Sequence, residues 1–278
     1  MARTKKRGGL SSEVANALSL LSSSGLSLFT LRDFASAIGS GSQRPSKLLH
    51  ELQRSGWVAR VAREKYLVVP LEAGPDSVWT EDALVVVGHL AEPSAIAYWT
   101  ACHYWNWTEQ PPRTVFAQTT RRVWRSAGQA LGVAYRLVRV TPRKFFGVVQ
   151  RTSSRGAFPI TDREKTLVDA LDRPDLCGGI RQVAEMLPVA EPVSWDTVDR
   201  YLDKTGSGAI YKRLGLLVET LGSRLTVSRR TRRLEAWRSK LTGGIAPLEP
   251  AGAAAGPVNG RWRVRLNVGG VIPEVAAR

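Results

Sequence analysis

The sequence holds little of what disulfide-bonded, zinc-binding or membrane-spanning proteins need. Only two cysteines and three histidines occur in 278 residues, which argues against a disulfide framework and for a reducing cytoplasm. Cys102 and His103 are adjacent, which is not metal-ligand spacing, so we expect no metal and no other cofactor. No apolar run approaches the roughly 20 residues of a membrane span, and no apolar segment follows the basic residues 1–9 as it would in a signal peptide.

Acidic residues are missing from one long stretch of the chain. Residues 110–161 contain no Asp or Glu but ten Lys and Arg, whereas residues 66–112 contain no Lys or Arg. A second basic block spans residues 204–240, with only Glu219 and Glu235 against it. In total 40 Lys and Arg oppose 24 Asp and Glu, a formal net charge of +16. A surplus segregated in this way favours binding to a polyanion over a general role in solubility.

Residues 1–70, here called the head, have the pattern of a winged helix-turn-helix. Ser11 or Ser12 caps a first predicted helix, and Thr30 begins a second with a capping-box arrangement. A third helix is predicted near Pro45, where proline is tolerated because its missing N–H has no partner in a first turn. Two β-rich runs then predict a hairpin that serves as the wing.

The third predicted helix is the candidate reader of DNA, because a helix fits the major groove and presents side chains to base edges. Leu48, Leu49 and Leu52 are predicted to face the core, which leaves the polar side chains outside. The predicted contacts on this helix are Arg44, Ser46, Lys47, His50 and Arg54. The wing adds Arg60, Arg63 and Lys65, suited to phosphate or minor-groove contact. The alternative is a solvated surface or a protein-contact surface.

Residues 71–278, here called the body, mix helix and strand patterns. Predicted helices cover 82–90 and 94–105, and predicted strands cover 113–119, 134–140 and 145–150. Thr161 and Glu164 form a predicted capping box for a further helix. The whole chain is therefore predicted to be α+β: an N-terminal winged helix-turn-helix domain followed by a larger mixed α/β domain.

Two later segments of the body are strongly periodic. One helical stripe consists of Ile210, Leu214, Leu217, Val218 and Leu221, which predicts that Lys212 and Arg213 are exposed. Residues 261–268 alternate strictly and predict a half-buried strand with three arginines on its open side. Basic side chains of the body are predicted to touch DNA as well: Arg121, Arg122, Arg125, Lys212, Arg213, Arg229, Arg230, Arg232 and Arg233.

No catalytic site emerges from the sequence. Asp162, Glu164, Lys165 and Asp169 lack the strand-borne spacing of metal-dependent nucleases. The run Gly206-Ser207-Gly208 with Lys212 lacks the spacing of a phosphate-binding loop. We therefore expect a binding protein rather than an enzyme.

Several segments of the body resemble the AbiEi antitoxin family in the same order along the chain. They are residues 160–169 (ITDREKTLVD), 178–180 (GGI), 211–219 (YKRLGLLVE), 247–250 (PLEP), and 261–264 (RWRV) with 267–268 (NV). Residues 98–113, which include Thr108-Glu109-Gln110, are also similar to this family. The resemblance covers most of the chain from about residue 11 onward.

The resemblance implies the antitoxin half of a bicistronic toxin–antitoxin, or abortive-infection, system. In such a protein the head binds inverted repeats of double-stranded operator DNA in its own promoter and represses it. The body carries the antitoxin activity against a nucleotidyltransferase-like toxin, and no membrane is involved. Two rivals remain: a winged-helix nucleic-acid-processing enzyme, which would need convergent carboxylates, and a ligand-responsive transcription factor, which would need an apolar pocket or a long dimer helix.

Overall fold

The computed structural model describes residues 9–24, 28–39, 44–62, 64–69, 80–123, 126–130, 133–153 and 156–271. Two predicted DNA contacts, Arg63 and Arg125, lie outside these ranges, as do residues 1–8 of the basic terminus. The fold combines helices with sheets and is α+β as predicted. Within the described ranges, no helix is long and apolar enough to cross a membrane.

Three helices and a small antiparallel sheet form the described part of the head. In chain order the elements are α1 (Ser12–Ser23), β1 (Leu28–Phe29), α2 (Leu31–Ile38), α3 (Pro45–Arg54), β2 (Val58–Ala62) and β3 (Lys65–Val68). The strands are ordered β1-β3-β2, so the predicted hairpin gains a third strand from the α1–α2 connection. All three predicted helices are present.

Local hydrogen bonds fix where the first two helices begin. The Ser11 side chain accepts a hydrogen bond from Val14 N, 3.4 Å away, at the start of α1. At α2 the Thr30 hydroxyl accepts from Asp33 N at 3.2 Å, and the Asp33 carboxylate accepts from Thr30 N at 2.8 Å. This reciprocal pair is a capping box, and a cap of this kind stabilises a helix by about 1 kcal/mol.

A single apolar core lies under these elements. Leu21, Phe34 and Leu52, one from each helix, have no exposed surface. The Phe29 ring lies 5.9 Å from the Phe34 ring and stacks at 5.9 Å on Tyr66 of β3, centroid to centroid. The sheet therefore closes the open side of the three helices.

A six-stranded mixed sheet forms the first half of the body. Its elements are α4 (Thr80–Gly88), β4 (Ser94–Ile96), α5 (Tyr98–Tyr104), β5 (Thr114–Thr119), β6 (Ala127–Ala130), β7 (Val133–Arg139), β8 (Val148–Ser153) and β9 (Gly156–Thr161). The strand order is β6-β7-β5-β4-β9-β8. The pairs β5–β7 and β4–β9 are parallel, and the other neighbours are antiparallel.

Helices dominate the second half of the body. They are α6 (Arg163–Asp172), α7 (Ile180–Met186), α8 (Trp195–Thr205), α9 (Gly208–Leu221) and α10 (Arg230–Ser239), followed by the short strands β10 (Ala246–Pro247), β11 (Val258–Asn259) and β12 (Val264–Arg265). Helix α9 packs against α6, α10, β10 and β12. The Trp262 ring lies so close to α9 that a Cβ at Gly215 would overlap it.

Two predictions for the sheet were partly wrong. Residues 94–105 do not form one helix: Ser94–Ile96 is strand β4, buried between β5 and β9, and α5 begins only at Tyr98. The strand predicted at 145–150 begins at Val148, after a 3₁₀ turn at Pro142–Lys144. Strands β6 and β9 were not predicted, because β6 contains glycine and alanine and β9 contains Pro159, all residues with low strand propensity.

The predicted capping box at α6 was wrong by one residue. Asp162 is the N-cap, and its Oδ1 accepts from Lys165 N at 2.7 Å. Thr161 instead ends β9 and shares a 2.8 Å hydrogen bond with Thr166 Oγ1. The Glu164 carboxylate does not bond the start of α6 and instead accepts a hydrogen bond from Ser194 N at 2.7 Å. Asp and Thr are both good caps, and the pairing of Thr161 in the sheet decides between them.

The predicted strand at 261–268 was also wrong over most of its length, since only Val264–Arg265 pairs. A turn precedes it, in which Asn259 Oδ1 accepts from Trp262 N at 2.9 Å. Arg263 has φ of +53°, which breaks the extended backbone. Trp262 and Val264 are nevertheless fully buried, as the alternation predicted.

Candidate nucleic-acid interface

Helix α3 presents a polar outer face to solvent. Leu48, Leu49 and Leu52 are buried on its inner face. The five side chains predicted to contact DNA, Arg44, Ser46, Lys47, His50 and Arg54, are all exposed. The predicted division of α3 into two faces is therefore confirmed, while DNA contact by the outer face stays a prediction.

Strand β3, part of the hairpin predicted to be the wing, is bonded to the body. Lys65 Nζ donates to the backbone O of His89 at 2.8 Å and to Glu92 Oε1 at 2.7 Å. The hydrogen bond from Lys65 holds the pKa of Glu92 below its usual value. Of the wing candidates, Arg60 on β2 is exposed, whereas Lys65 points to the body.

An apolar contact reinforces this attachment. Leu67 of β3 and Val86 of α4 are each 1% exposed and pack together, with Leu28 and Leu90 beside them. Within the body, the Nε of Arg121 donates to the backbone O of Glu92 at 2.7 Å, beside the Lys65–Glu92 ion pair, while the side chain stays exposed. Arg122 is exposed next to it. Exposed cations of the body thus lie close to the wing.

The predicted exposure of Lys212 and Arg213 was wrong. Lys212 is 2% exposed and its Nζ donates to Thr242 Oγ1 at 3.1 Å. Arg213 is 4% exposed and donates to the backbone O of Leu171 at 2.8 Å and of Pro247 at 3.0 Å. Burial lowers the pKa of both side chains. A single apolar stripe predicts exposure only for a surface helix, and α9 is enclosed on several sides.

Only two of the four arginines at residues 229–233 face solvent and could contact DNA. Arg233 is buried and paired with Asp196 and Asp199, and its Nε donates to Ser228 O at 2.7 Å. Arg230 donates to the backbone oxygens of the 3₁₀ turn before α10, at Gly222 and Leu225. The members that face solvent are Arg229 and Arg232.

The sequence reasoning did not single out a further pair of basic residues within the acid-free stretch. Arg143 is exposed in the 3₁₀ turn Pro142–Lys144, and its Nε donates to the backbone O of Lys204 at 3.0 Å. The Lys204 ammonium lies 4.5 Å from the centre of the Phe146 ring. The signal was the pair Arg143-Lys144 in a stretch without acids, but its juxtaposition with α8 depends on the tertiary fold.

The carboxylates considered for nuclease chemistry have structural contacts. Lys165 and Asp169 form a buried ion pair. Asp162 Oδ2 accepts from the Tyr201 hydroxyl at 2.7 Å, in addition to capping α6. Burial raises the pKa of both Asp162 and Asp169. Across the described ranges, no group of three or more His, Cys, Asp or Glu side chains is arranged to hold a metal ion.

Comparison with known proteins identifies the fold and the family resemblance. The crystal structure of RV2827C protein from Mycobacterium tuberculosis has the same overall fold, with a TM-score of 0.63 over 94% of this chain and 93% of that chain, at 14% sequence identity. No curated protein sequence matches the chain. Residues 16–69 match the model of a family described as transcriptional regulator, AbiEi antitoxin. This match confirms, over residues 16–69, the resemblance to the AbiEi antitoxins, a family of transcriptional regulators.

Proposed function

We propose that this protein is a repressor and antitoxin whose head binds inverted repeats in its own promoter. The observation that carries the proposal is the exposed polar face of α3 inside the segment that matches the AbiEi family model. In this proposal the head is a winged helix-turn-helix, α2 and α3 are its two motif helices, and β2 with β3 forms the wing.

The dimensions of α3 suit a major groove. Its ten residues span about 15 Å, and the groove is about 12 Å wide. Arg44, Ser46 and Lys47 stand at the N-terminal end of the helix, where recognition helices usually contact bases. Arginine and lysine there would bond guanine edges, and Ser46 would bond either base of a pair.

The basic residues of the wing have different roles in this proposal. Lys65 is paired with Glu92, and we assign the wing contact to Arg60, which is exposed on β2. Lys65 instead holds the wing against the body, so the two parts approach the duplex together. Arg63 lies between β2 and β3, outside the described residues, and remains a proposed contact.

The body extends the DNA contact in this proposal. Arg121, Arg122, Arg229 and Arg232 are exposed and would neutralise phosphates that flank the site read by α3. This surface does not include the buried side chains of Lys212, Arg213 and Arg233. It also excludes Arg230, whose guanidinium donates to the backbone O of Gly222. Inverted repeats imply that two copies bind together, one on each half-site.

The antitoxin activity is assigned to the body, and the partner is a nucleotidyltransferase-like toxin. The support is the resemblance of residues 160–169, 211–219 and the other body segments to AbiEi antitoxins. Contact with the toxin and indirect neutralisation both agree with this assignment. We infer no enzymatic activity for the chain itself.

A gel-shift assay tests the DNA-binding core of the proposal. Full-length protein is mixed with a labelled fragment of its own promoter and with a fragment of equal length from inside its gene. Specific complexes on the promoter at concentrations at least about 1,000-fold below those needed for the control fragment support the proposal. Equal affinity for both fragments contradicts it.

A further inference from the structure

An apolar cleft in the body plays no part in the proposed DNA contacts. It has a volume of about 410 Å³ and lies between α4, α5, β5 and the β8–β9 hairpin. Its apolar wall includes Leu84, Tyr104, Val115 and Phe158, and Thr152 stands at its exposed side. Pockets of roughly 300–1,000 Å³ with apolar walls and a few polar groups are typical of small-molecule sites.

The end of α5 shapes the aromatic wall of this cleft. Asn106 has φ of +60°, and Trp107 N donates back to Cys102 O at 2.9 Å, which ends the helix in a tight turn. This turn fixes the last residues of the helix at the cleft. The Tyr104 ring stands edge-on to the Phe158 ring at a centroid distance of 5.6 Å. Phe158 is itself 1% exposed, so Tyr104 presents the accessible ring surface of this wall, on which a third ring can stack or stand edge-on.

One polar group in the wall has an unused acceptor. His103 Nδ1 lies 3.1 Å from the backbone O of Thr108. A carbonyl oxygen only accepts, so the neutral imidazole carries its hydrogen on Nδ1 and leaves Nε2 as an acceptor. No described residue donates to Nε2. The neighbouring Thr100 hydroxyl is already occupied, because it accepts from Phe116 N at 2.9 Å. A ligand that matches this wall therefore brings a donor.

We propose that this cleft binds a small aromatic ring compound that carries one N–H or O–H donor. The ring lies against Tyr104, and the donor bonds His103 Nε2. The volume, the accessible Tyr104 ring and the His103 acceptor together define this ligand class.

Helix α4 connects this cleft to the head. Leu84 lines the cleft, and Val86, two residues further on, is buried against Leu67 of β3. A ligand that shifts α4 therefore changes how β3, the proposed wing strand, packs against the body. This consequence, a change in operator affinity on ligand binding, rests on the proposed function, whereas ligand binding itself does not.

Calorimetric titration of the full-length protein with indole tests the site directly. Indole has a ring and one N–H, and benzothiophene has the same shape without the donor. We expect one indole per chain with a dissociation constant of about 1 mM or tighter. Benzothiophene should bind about tenfold more weakly, because it leaves the His103 acceptor unpaired. Absence of saturable indole binding overturns the proposal, and equal binding of the two compounds overturns the assignment of the donor to His103.

Two variants locate the binding. Thr152→Trp fills the exposed side of the cleft and should abolish indole binding, whereas Gln150→Trp, on the same strand and also exposed, should leave it unchanged. His103→Asn keeps a donor for Thr108 O but removes the Nε2 acceptor, so it should erase the preference for indole over benzothiophene. Indole binding by Thr152→Trp equal to that of the unsubstituted protein overturns the location.

A final titration separates this inference from the proposed function. Operator affinity is measured with and without saturating indole. An unchanged affinity overturns the coupling through α4. A protein that binds no operator at all contradicts the proposed function, while the calorimetric result still decides the ligand site.

Discussion

Lys65 Nζ lies 2.7 Å from Glu92 Oε1, and this ion pair joins the wing strand β3 to the loop after α4. The carboxylate is 71% exposed and the lysine 23%, so the pair contributes at most about 1 kcal/mol to folding. Together with the buried contact between Leu67 and Val86, the pair holds β3 against the body.

The first prediction concerns this pair and pH. The pKa of Glu92 is lowered in the folded protein by the hydrogen bond from Lys65. Its contribution is therefore present above the unfolded pKa and is lost as pH falls through the lowered pKa. Glu92→Gln removes the charge and keeps the size of the side chain, so it should reduce the free energy of unfolding slightly at neutral pH and not at all in strong acid, where the carboxyl is already neutral. Urea unfolding at both pH values measures this, and an equal loss at both would contradict it.

A second prediction compares two arginines on one helix. Arg233→Ala should destabilise the protein by about 2–3 kcal/mol, because it removes a buried guanidinium that donates to Asp199 and to the backbone oxygens of Ser228 and Trp195. Arg232→Ala, on the exposed side of α10, should change stability by less than about 0.5 kcal/mol. Chemical denaturation of both variants measures the difference. Equal stabilities would mean that the contacts of the Arg233 guanidinium contribute nothing to stability.

The third prediction concerns phosphate binding by the body. Arg229→Gln with Arg232→Gln should flatten the plot of log affinity against log salt by about 0.9 for each phosphate that is no longer neutralised, without changing base preference. Arg173→Gln is a matched control, since Arg173 is already paired with Asp175. A slope unchanged by the double substitution would leave these arginines to a protein partner.

A fourth prediction separates repression from antitoxin activity. The double variant Arg44→Ala and Lys47→Ala keeps the body intact, so it should still rescue cells that express the toxin. It should no longer repress a reporter under its own promoter. Growth and reporter assays in the same strain measure both effects. Loss of rescue by the folded variant would place antitoxin activity in the head.

Local signals in the sequence predicted local structure well. Thr30 and Asp33 are three residues apart, and the capping box they form depends on almost nothing else. The two faces of α3 follow in the same way from the spacing of Leu48, Leu49 and Leu52. Interactions between residues three or four positions apart depend on the sequence of that segment alone.

Side-chain exposure and strand pairing needed the tertiary fold. Lys212 has the helical position of a surface residue, yet it is buried, and its ammonium bonds Thr242 and Gly244 in the segment before β10. Thr161 was expected to cap α6, but it is the last residue of β9 and pairs with Val148 of β8. The partner of Lys65 lies 27 residues further along the chain, so no local pattern could have revealed it.

The central claim, that the outer face of α3 reads the operator, is tested most directly by footprinting. Full-length protein should protect both halves of an inverted repeat in its own promoter from nuclease digestion. The variant Arg44→Ala with Lys47→Ala should need at least about tenfold more protein for the same protection, since removing one side chain that bonds a base costs about 1–3 kcal/mol. Asn16→Ala, exposed on α1, should protect like the unsubstituted protein. Equal protection by the double variant, or no protected repeat with the unsubstituted protein, would contradict the claim.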